Sequence, residues 1–215
     1  MLENLVDENL VDDQYTVHDL IRGRWSPRAF SNRTVERDNL LILLEVSRWA
    51  ALCFNEQPWS FIVATKNEPA EYDRLLSCLV EFNQSWAQSA QVLMLSVAKL
   101  NFDKNGKENR HAFHDVGTAS CNLATQAMAL DLFVHQMAGF DGEKARAAPQ
   151  IPQGSLFGIP EGWEPAAMMA IGYLGDPQTL PESLREQELT PRIRKPLTEF
   201  IFTGNWNQTS DLVTD

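Results

Sequence analysis

Two short stretches carry the side chains best suited to chemistry: RGRWSPR, Arg22 to Arg28, and RIRK, Arg192 to Lys195. A guanidinium binds a phosphate through a planar two-pronged fork, and a serine hydroxyl adds a neutral donor. Arg24, Ser26, Arg28, Arg192 and Arg194 could therefore converge on one phosphate, although charge alone equally permits arginines that are simply solvated. The first stretch continues through Arg33 and Arg37, in a chain whose formal net charge is −11. Such a field repels DNA, RNA and anionic lipid, so the anion these arginines select should be small.

Other chemistry finds little support. No G-x-S-x-G elbow, P-loop, G-x-G-x-x-G fingerprint or H-E-x-x-H helix occurs. His111, His114, His135 and Asp115 could be arranged as acid and base groups, but scattered residues of these types more often cap helices or sit in cores, and they are assigned no role. Cys53, Cys78 and Cys121 are widely spaced and form no C-x-x-C pair, which argues against a disulfide framework or a zinc site and for a reducing compartment. The opening stretch is acidic where a signal peptide is basic, and no apolar run approaches the ~20 residues that span a bilayer. A soluble, cytoplasmic protein is the expectation.

Several elements could position the arginines. Residues 1–14 read as an acidic arm, followed by a short helix that Thr16 could cap. The stretch ERDNLLILLEVSRWAAL predicts a well-buried helix using Leu40, Leu41, Leu44, Trp49 and Leu52. Strands are predicted at Trp59 to Thr65, Ala90 to Ala98, Leu132 to Met137 and Ala166 to Leu174, with helix filling most of the gap between the first two. The alanine-rich span His114 to Leu130 predicts a central helix with small residues for close packing, and Gly142 to Ala148 a short one. Asn101 to His111 reads as a polar surface loop. Strands alternating with helices imply a layered α and β domain over residues 15–175. The extension over residues 176–215 has too little core to stand alone and should wrap a partner subunit, with Pro196 to Phe202 as a strand lacking a local mate.

In segment order the sequence resembles the FMN-dependent nitroreductase family. The segments that carry the resemblance are RWSPRAF (Arg24 to Phe30), ALCFNEQPWSF (Ala51 to Phe61), FNQSWA (Phe82 to Ala87), DVGTASCNLATQAMAL (Asp115 to Leu130), MAGFD (Met137 to Asp141), GIPEG (Gly158 to Gly162), IGY (Ile171 to Tyr173) and RIRKPL (Arg192 to Leu197). The resemblance implies an α+β, three-layer fold with a central mixed, mainly antiparallel sheet flanked by helices. It also implies a homodimer that exchanges its C-terminal arm, with FMN at the subunit interface and NAD(P)H as electron donor. Arg24, Trp25, Ser26 and Arg28 match the group holding the phosphate and pyrimidine edge, and Arg192 and Arg194 match the group holding the phosphate.

By the same matching, Asn83 would contact the flavin pyrimidine, where its other reading is a turn residue, and Met137, Ala138 and Gly139 fall where backbone approaches the flavin, or form a plain turn. Ala51, Leu52, Cys53 and Asn55 match the segment donated by the neighbouring subunit. That segment departs from the family's Pro-Ser-Ser-x-Asn: Leu52 and Cys53 replace the serines and only the Asn survives. Trp86 stands where some relatives carry a basic residue, as a core aromatic or a flavin contact. The flavin would carry the chemistry, which accounts for the missing nucleophile. The loops Asn101 to Phe113 and Gln153 to Phe157 would select the acceptor. An enzyme that fragments its flavin or removes a halide, or a flavin-binding dimer without turnover, are the alternatives.

Overall fold

The computed structural model describes residues 15–146 and 156–214. The expected acidic arm and the Gln153 to Ser155 portion of the second loop lie outside the described residues, as do Ala147 and Ala148. Four strands form one sheet in the order β1 (Trp59–Thr65), β2 (Val92–Lys99), β4 (Trp163–Tyr173) and β3 (Leu132–Met137), with each adjacent pair antiparallel. The helices are α1 (Asp19–Gly23), α2 (Arg37–Ser47), α3 (Pro69–Cys78), α4 (Glu81–Ala87), α5 (Ala112–Met128), α6 (Gly142–Ala145) and α7 (Glu182–Leu189). Among the described residues no helix is long and apolar enough to cross a membrane.

The pleat sorts β2 residues onto two faces. Leu93, Leu95 and Val97 join Tyr72 and Leu75 of α3 on one side, while Val92 and Met94 join Leu43 of α2 and Leu123 of α5 on the other. Burial on both faces explains why β2 is an unbroken apolar run rather than an alternation. The α+β, three-layer architecture expected from the sequence is therefore present. Ala119, Ala124 and Ala127 give α5 the small contact surface that lets it lie close to the sheet and to α2.

Four local expectations need correction. The His18 side chain, accepting from the Leu20 amide, caps α1 in place of Thr16. In α2 only Leu43 and Ser47 are buried; Leu41, Ile42 and the following Trp49 are exposed, because α5 and the sheet cover a single stripe of a helix that is apolar nearly all round. Within Pro196 to Phe202 the chain makes one 3₁₀ turn, Leu197–Glu199, and a single antiparallel bridge from Phe202 to Thr209 instead of a strand; the proline before the turn favours it. The central helix begins at Ala112, two residues before the predicted start.

The arginine loop is stapled to the end of β4. The Ser31 amide donates to Tyr173 O at 2.9 Å and the Gly175 amide to Ala29 O at 2.9 Å, and Phe30 bridges Leu174. Gly175 is required by this contact: a Cβ there would lie 2.5 Å from the Phe30 carbonyl carbon and 2.6 Å from its oxygen, both backbone atoms that cannot rotate away. Gly175→Ala is expected to cost about 1–3 kcal/mol. In a domain of this size that lowers the thermal midpoint by about 2–4 °C per kcal/mol, which differential scanning calorimetry would read.

Candidate functional site

The two basic clusters, one at each end of the chain, meet. Arg24, Trp25, Ser26, Arg28, Gln187, Glu188, Thr190, Arg192 and Arg194 line one cavity of about 250 Å³. Four arginines thus line a single space with one glutamate beside them. Arg24 donates to Ser26 Oγ at 3.4 Å, while Arg192 donates to Arg24 O at 2.6 Å and Arg22 O at 2.8 Å. Like charge accumulates here. Burial and then the Arg194 charge push Arg24 below its ordinary value, and Arg192 is lowered by burial, then by Arg194 and Arg24. A site that depresses its own cations is one that an anion would relieve.

Each side chain reaches the cavity for a local reason. Trp25 is 5% exposed and packs edge-on against Phe133 of β3, with ring centroids 6.2 Å apart, which fixes the loop on the sheet. The next anchor is His135 of β3, whose Nδ1 lies 2.9 Å from Pro27 O; the carbonyl can only accept, so Nδ1 carries the proton. Of the buried donors without a hydrogen-bond partner among the described residues, the Trp25 indole N–H and Arg28 Nε belong to residues that line the cavity. Unmet buried donors beside converging arginines suit a ligand rich in acceptor oxygens.

A second group sits along the same face of the sheet. Trp86 of α4 stacks on His135 at 4.5 Å between ring centroids. Three residues earlier in α4, Asn83 Nδ2 donates to Gly139 O at 3.0 Å, and the Val80 amide donates to the same oxygen at 3.1 Å. A Cβ on Gly139 would lie 2.6 Å from Asn83 Nδ2 and would displace the Asn83 amide from this position. Met137 is buried and Ala138 exposed. The structure thus joins Asn83, Met137, Ala138 and Gly139 in one corner, linked through Trp86 and His135 to the arginine loop. Trp86, 2% exposed, is a core aromatic.

The remaining candidates lie elsewhere within one chain. Ala51, Leu52, Cys53 and Asn55 do not line the arginine cavity. The Cys53 amide donates to the buried Asp115 carboxylate at 3.0 Å, and beyond it Phe54, Asn55 and Gln57 adopt positive φ of 52°, 56° and 51°. Three non-glycine residues in the left-handed region store backbone strain, which a structure retains where geometry matters. Phe54 is 90% exposed and meets Phe102 of the Asn101 to Phe113 loop edge-on at 6.2 Å. Sequence reasoning missed Gln187, Glu188 and Thr190. The proximity of REQELT to RIRK was the available signal, but its polarity read as surface.

Comparison with known proteins extends these observations. A sequence model described as the nitroreductase family matches residues 21–173. A 15.4 kDa protein from the ask 5′ region of Mycolicibacterium smegmatis is 36% identical over 131 residues, covering 61% of this chain and 82% of that protein. A solved structure described as an oxidoreductase containing FMN superposes with TM-score 0.83 at 31% identity, covering 94% of this chain and 98% of that one. A Desulfovibrio desulfuricans protein solved in complex with FMN shares the fold, at TM-score 0.66 and 21% identity over 90% of this chain and 99% of that one.

Burial, opposed by the hydrogen bond to Pro27 and helped by the Arg28 charge, lowers His135 to about 4. The unfolded chain takes up that proton first, so the stability His135 contributes is complete above about pH 6.5 and is lost as pH falls toward 4. Across that window urea unfolding should show up to about 3 kcal/mol of loss from this residue. His135→Leu should flatten that part of the pH dependence, and an unchanged profile would contradict the assignment.

Proposed function

Since the chain belongs to the nitroreductase family, we propose that it is an FMN-dependent NAD(P)H oxidoreductase that reduces a small organic acceptor such as a nitroaromatic, quinone or enone. The observation that carries this reading is the convergence of Arg24, Ser26 and Arg28 with Arg192 and Arg194 on one cavity. The residues present fit a flavin phosphate: the guanidinium forks supply bidentate charge, Ser26 a hydroxyl, and Trp25 and Arg28 buried donors without a partner. When bound, FMN supplies the two-electron chemistry at its ring.

The protein's own residues hold and tune that group. Arg24, Arg28, Arg192 and Arg194 grip the phosphate and keep the flavin from dissociating, while Trp25 fixes the loop to the sheet. Asn83 both donates and accepts, which suits the pyrimidine edge, and its bond to Gly139 O orients it. The Met137, Ala138 and Gly139 backbone, close to Asn83 because Gly139 has no side chain, supplies amides for the ring.

A homodimer completes the site in this reading. Leu41, Ile42, Trp49 and Phe54, with Ile193, Phe200, Trp206 and Leu212 in the tail, are exposed apolar side chains that a partner subunit would cover. We assign residues 15–175 to the flavin-binding domain and 176–215 to an extension that wraps the partner and returns Arg192 and Arg194 to the phosphate. Ala51, Leu52, Cys53 and Asn55, set on a strained loop away from their own cavity, serve the partner's flavin. Leu52 and Cys53 offer backbone and van der Waals contact where relatives offer hydroxyls, so cofactor affinity and potential are tuned differently. Phe54, Phe102 and the rest of the Asn101 to Phe113 loop border the acceptor, and the free thiols suit a cytoplasmic setting.

Purified protein should be yellow and bleach anaerobically on adding NADH or NADPH; retained colour would favour a flavin-binding dimer without turnover. Initial rates at varied donor and acceptor should give parallel double-reciprocal lines, and intersecting lines would exclude ping-pong turnover. Product analysis that found fragmented flavin or released halide would identify one of the other chemistries this scaffold could host. Arg24→Ala and Arg194→Ala should each weaken FMN on the order of 10- to 100-fold, as expected for loss of a charged hydrogen bond, with far-UV circular dichroism unchanged. FMN affinity retained in both variants would mean the phosphate lies elsewhere.

A further inference from the structure

Glu188 is the one carboxylate among the residues lining the arginine cavity, and it is 2% exposed. Its charge opposes the binding of an anion, so electrostatic attraction does not explain it. Its hydrogen bonds do. The Arg28 amide donates to Oε1 at 2.8 Å and Oε2 at 3.0 Å, the Ala29 amide donates to Oε1 at 3.1 Å, and Arg28 Nη1 lies 3.9 Å from Oε2. Burial pushes the carboxyl up, opposed by the Ala29 and Arg28 amides and then by the Arg28 charge.

These contacts join the two arms of the site. Glu188 lies on α7, which leads through Thr190 into Arg192 and Arg194. From there Arg192 reaches back to the carbonyls of Arg22 and Arg24. The tail thus holds the loop twice, by a carboxylate at Arg28 and by a guanidinium at Arg24.

We infer that Glu188 is a positioning residue for phosphate recognition: by tying the backbone of Arg28 and Ala29 to α7 it sets Ser26 and Arg28 opposite Arg192 and Arg194, and so governs how much of the cofactor's affinity comes from its phosphate. The inference rests on the flavin reading proposed above. Reach, rather than charge, is the property that matters. A glutamine keeps the length and a carbonyl acceptor but loses the charge, whereas an aspartate keeps the charge and falls one methylene short.

The test compares FMN with riboflavin, which lacks the phosphate, binding to the full-length flavin-free protein by fluorescence quenching. Glu188→Asp should lower the FMN-to-riboflavin affinity ratio about tenfold, the loss expected when charge-assisted hydrogen bonds are stretched. Riboflavin affinity should stay near wild type. Glu188→Gln should keep the ratio within about threefold. An unchanged ratio in Glu188→Asp, a ratio in Glu188→Gln that falls as far as in Glu188→Asp, or equal losses for both ligands would each overturn the positioning role. A wild-type protein that does not prefer FMN to riboflavin would overturn the flavin reading together with it.

Discussion

The architecture depends on bringing like charges together. Arg24, Arg28, Arg192 and Arg194 share a cavity of about 250 Å³, and partial burial of the first three makes the mutual repulsion harder to screen than it would be in water. Such an arrangement persists only if the surrounding backbone holds it in place. Glu188, Pro27, Ala29 and Tyr173 supply that hold through hydrogen bonds to α7, to β3 and to the end of β4. Pre-organised cations of this kind spend their unfavourable energy during folding, so an arriving anion meets them already aligned.

The sheet converts that local constraint into a site. Leu93, Leu95, Phe133, Met137 and Ala170 build the face on which the arginine loop rests, with His135 and Trp86 placed between the loop and the Asn83 to Gly139 corner. Contacts separated by about 160 positions in sequence join the loop to the tail. Closing so long a loop costs only slowly growing entropy, and Leu180 and Leu184, buried in the core, hold the start of the tail beside these contacts. In the dimeric reading proposed above, the strained Phe54 to Gln57 segment and the exposed apolar residues of α2 and the tail would meet a second copy of the chain.

Much of this was legible in the residues. The strands at Trp59 to Thr65 and Leu132 to Met137 were bounded correctly, because β-branched and aromatic runs between turn residues have few other uses. The arginine clusters were visible from residue type, and the fold brings both to one cavity; Gly139 was singled out by the family resemblance, with a plain turn as its other reading. The face of α2 was misjudged since its apolar residues surround the helix and periodicity alone does not say which of them a subunit covers. The composition of Pro196 to Phe202 suits a strand, but the chain turns at Leu197–Glu199 and pairs only at Phe202 with Thr209, and the extent of pairing is a property of the whole fold. Glu188 was invisible for a related reason: a glutamate in a polar stretch announces nothing until its tertiary partners, the amides of Arg28 and Ala29, are known.

A crystal structure of the protein grown with FMN addresses the central claim most directly. The expected result is the phosphate inside the cavity, within hydrogen-bonding distance of Arg24, Ser26, Arg28 and the Arg192–Arg194 segment, with the ring toward Asn83 and Gly139. Guanidinium groups splayed into solvent, with the phosphate bound at some other place on the molecule, would contradict it.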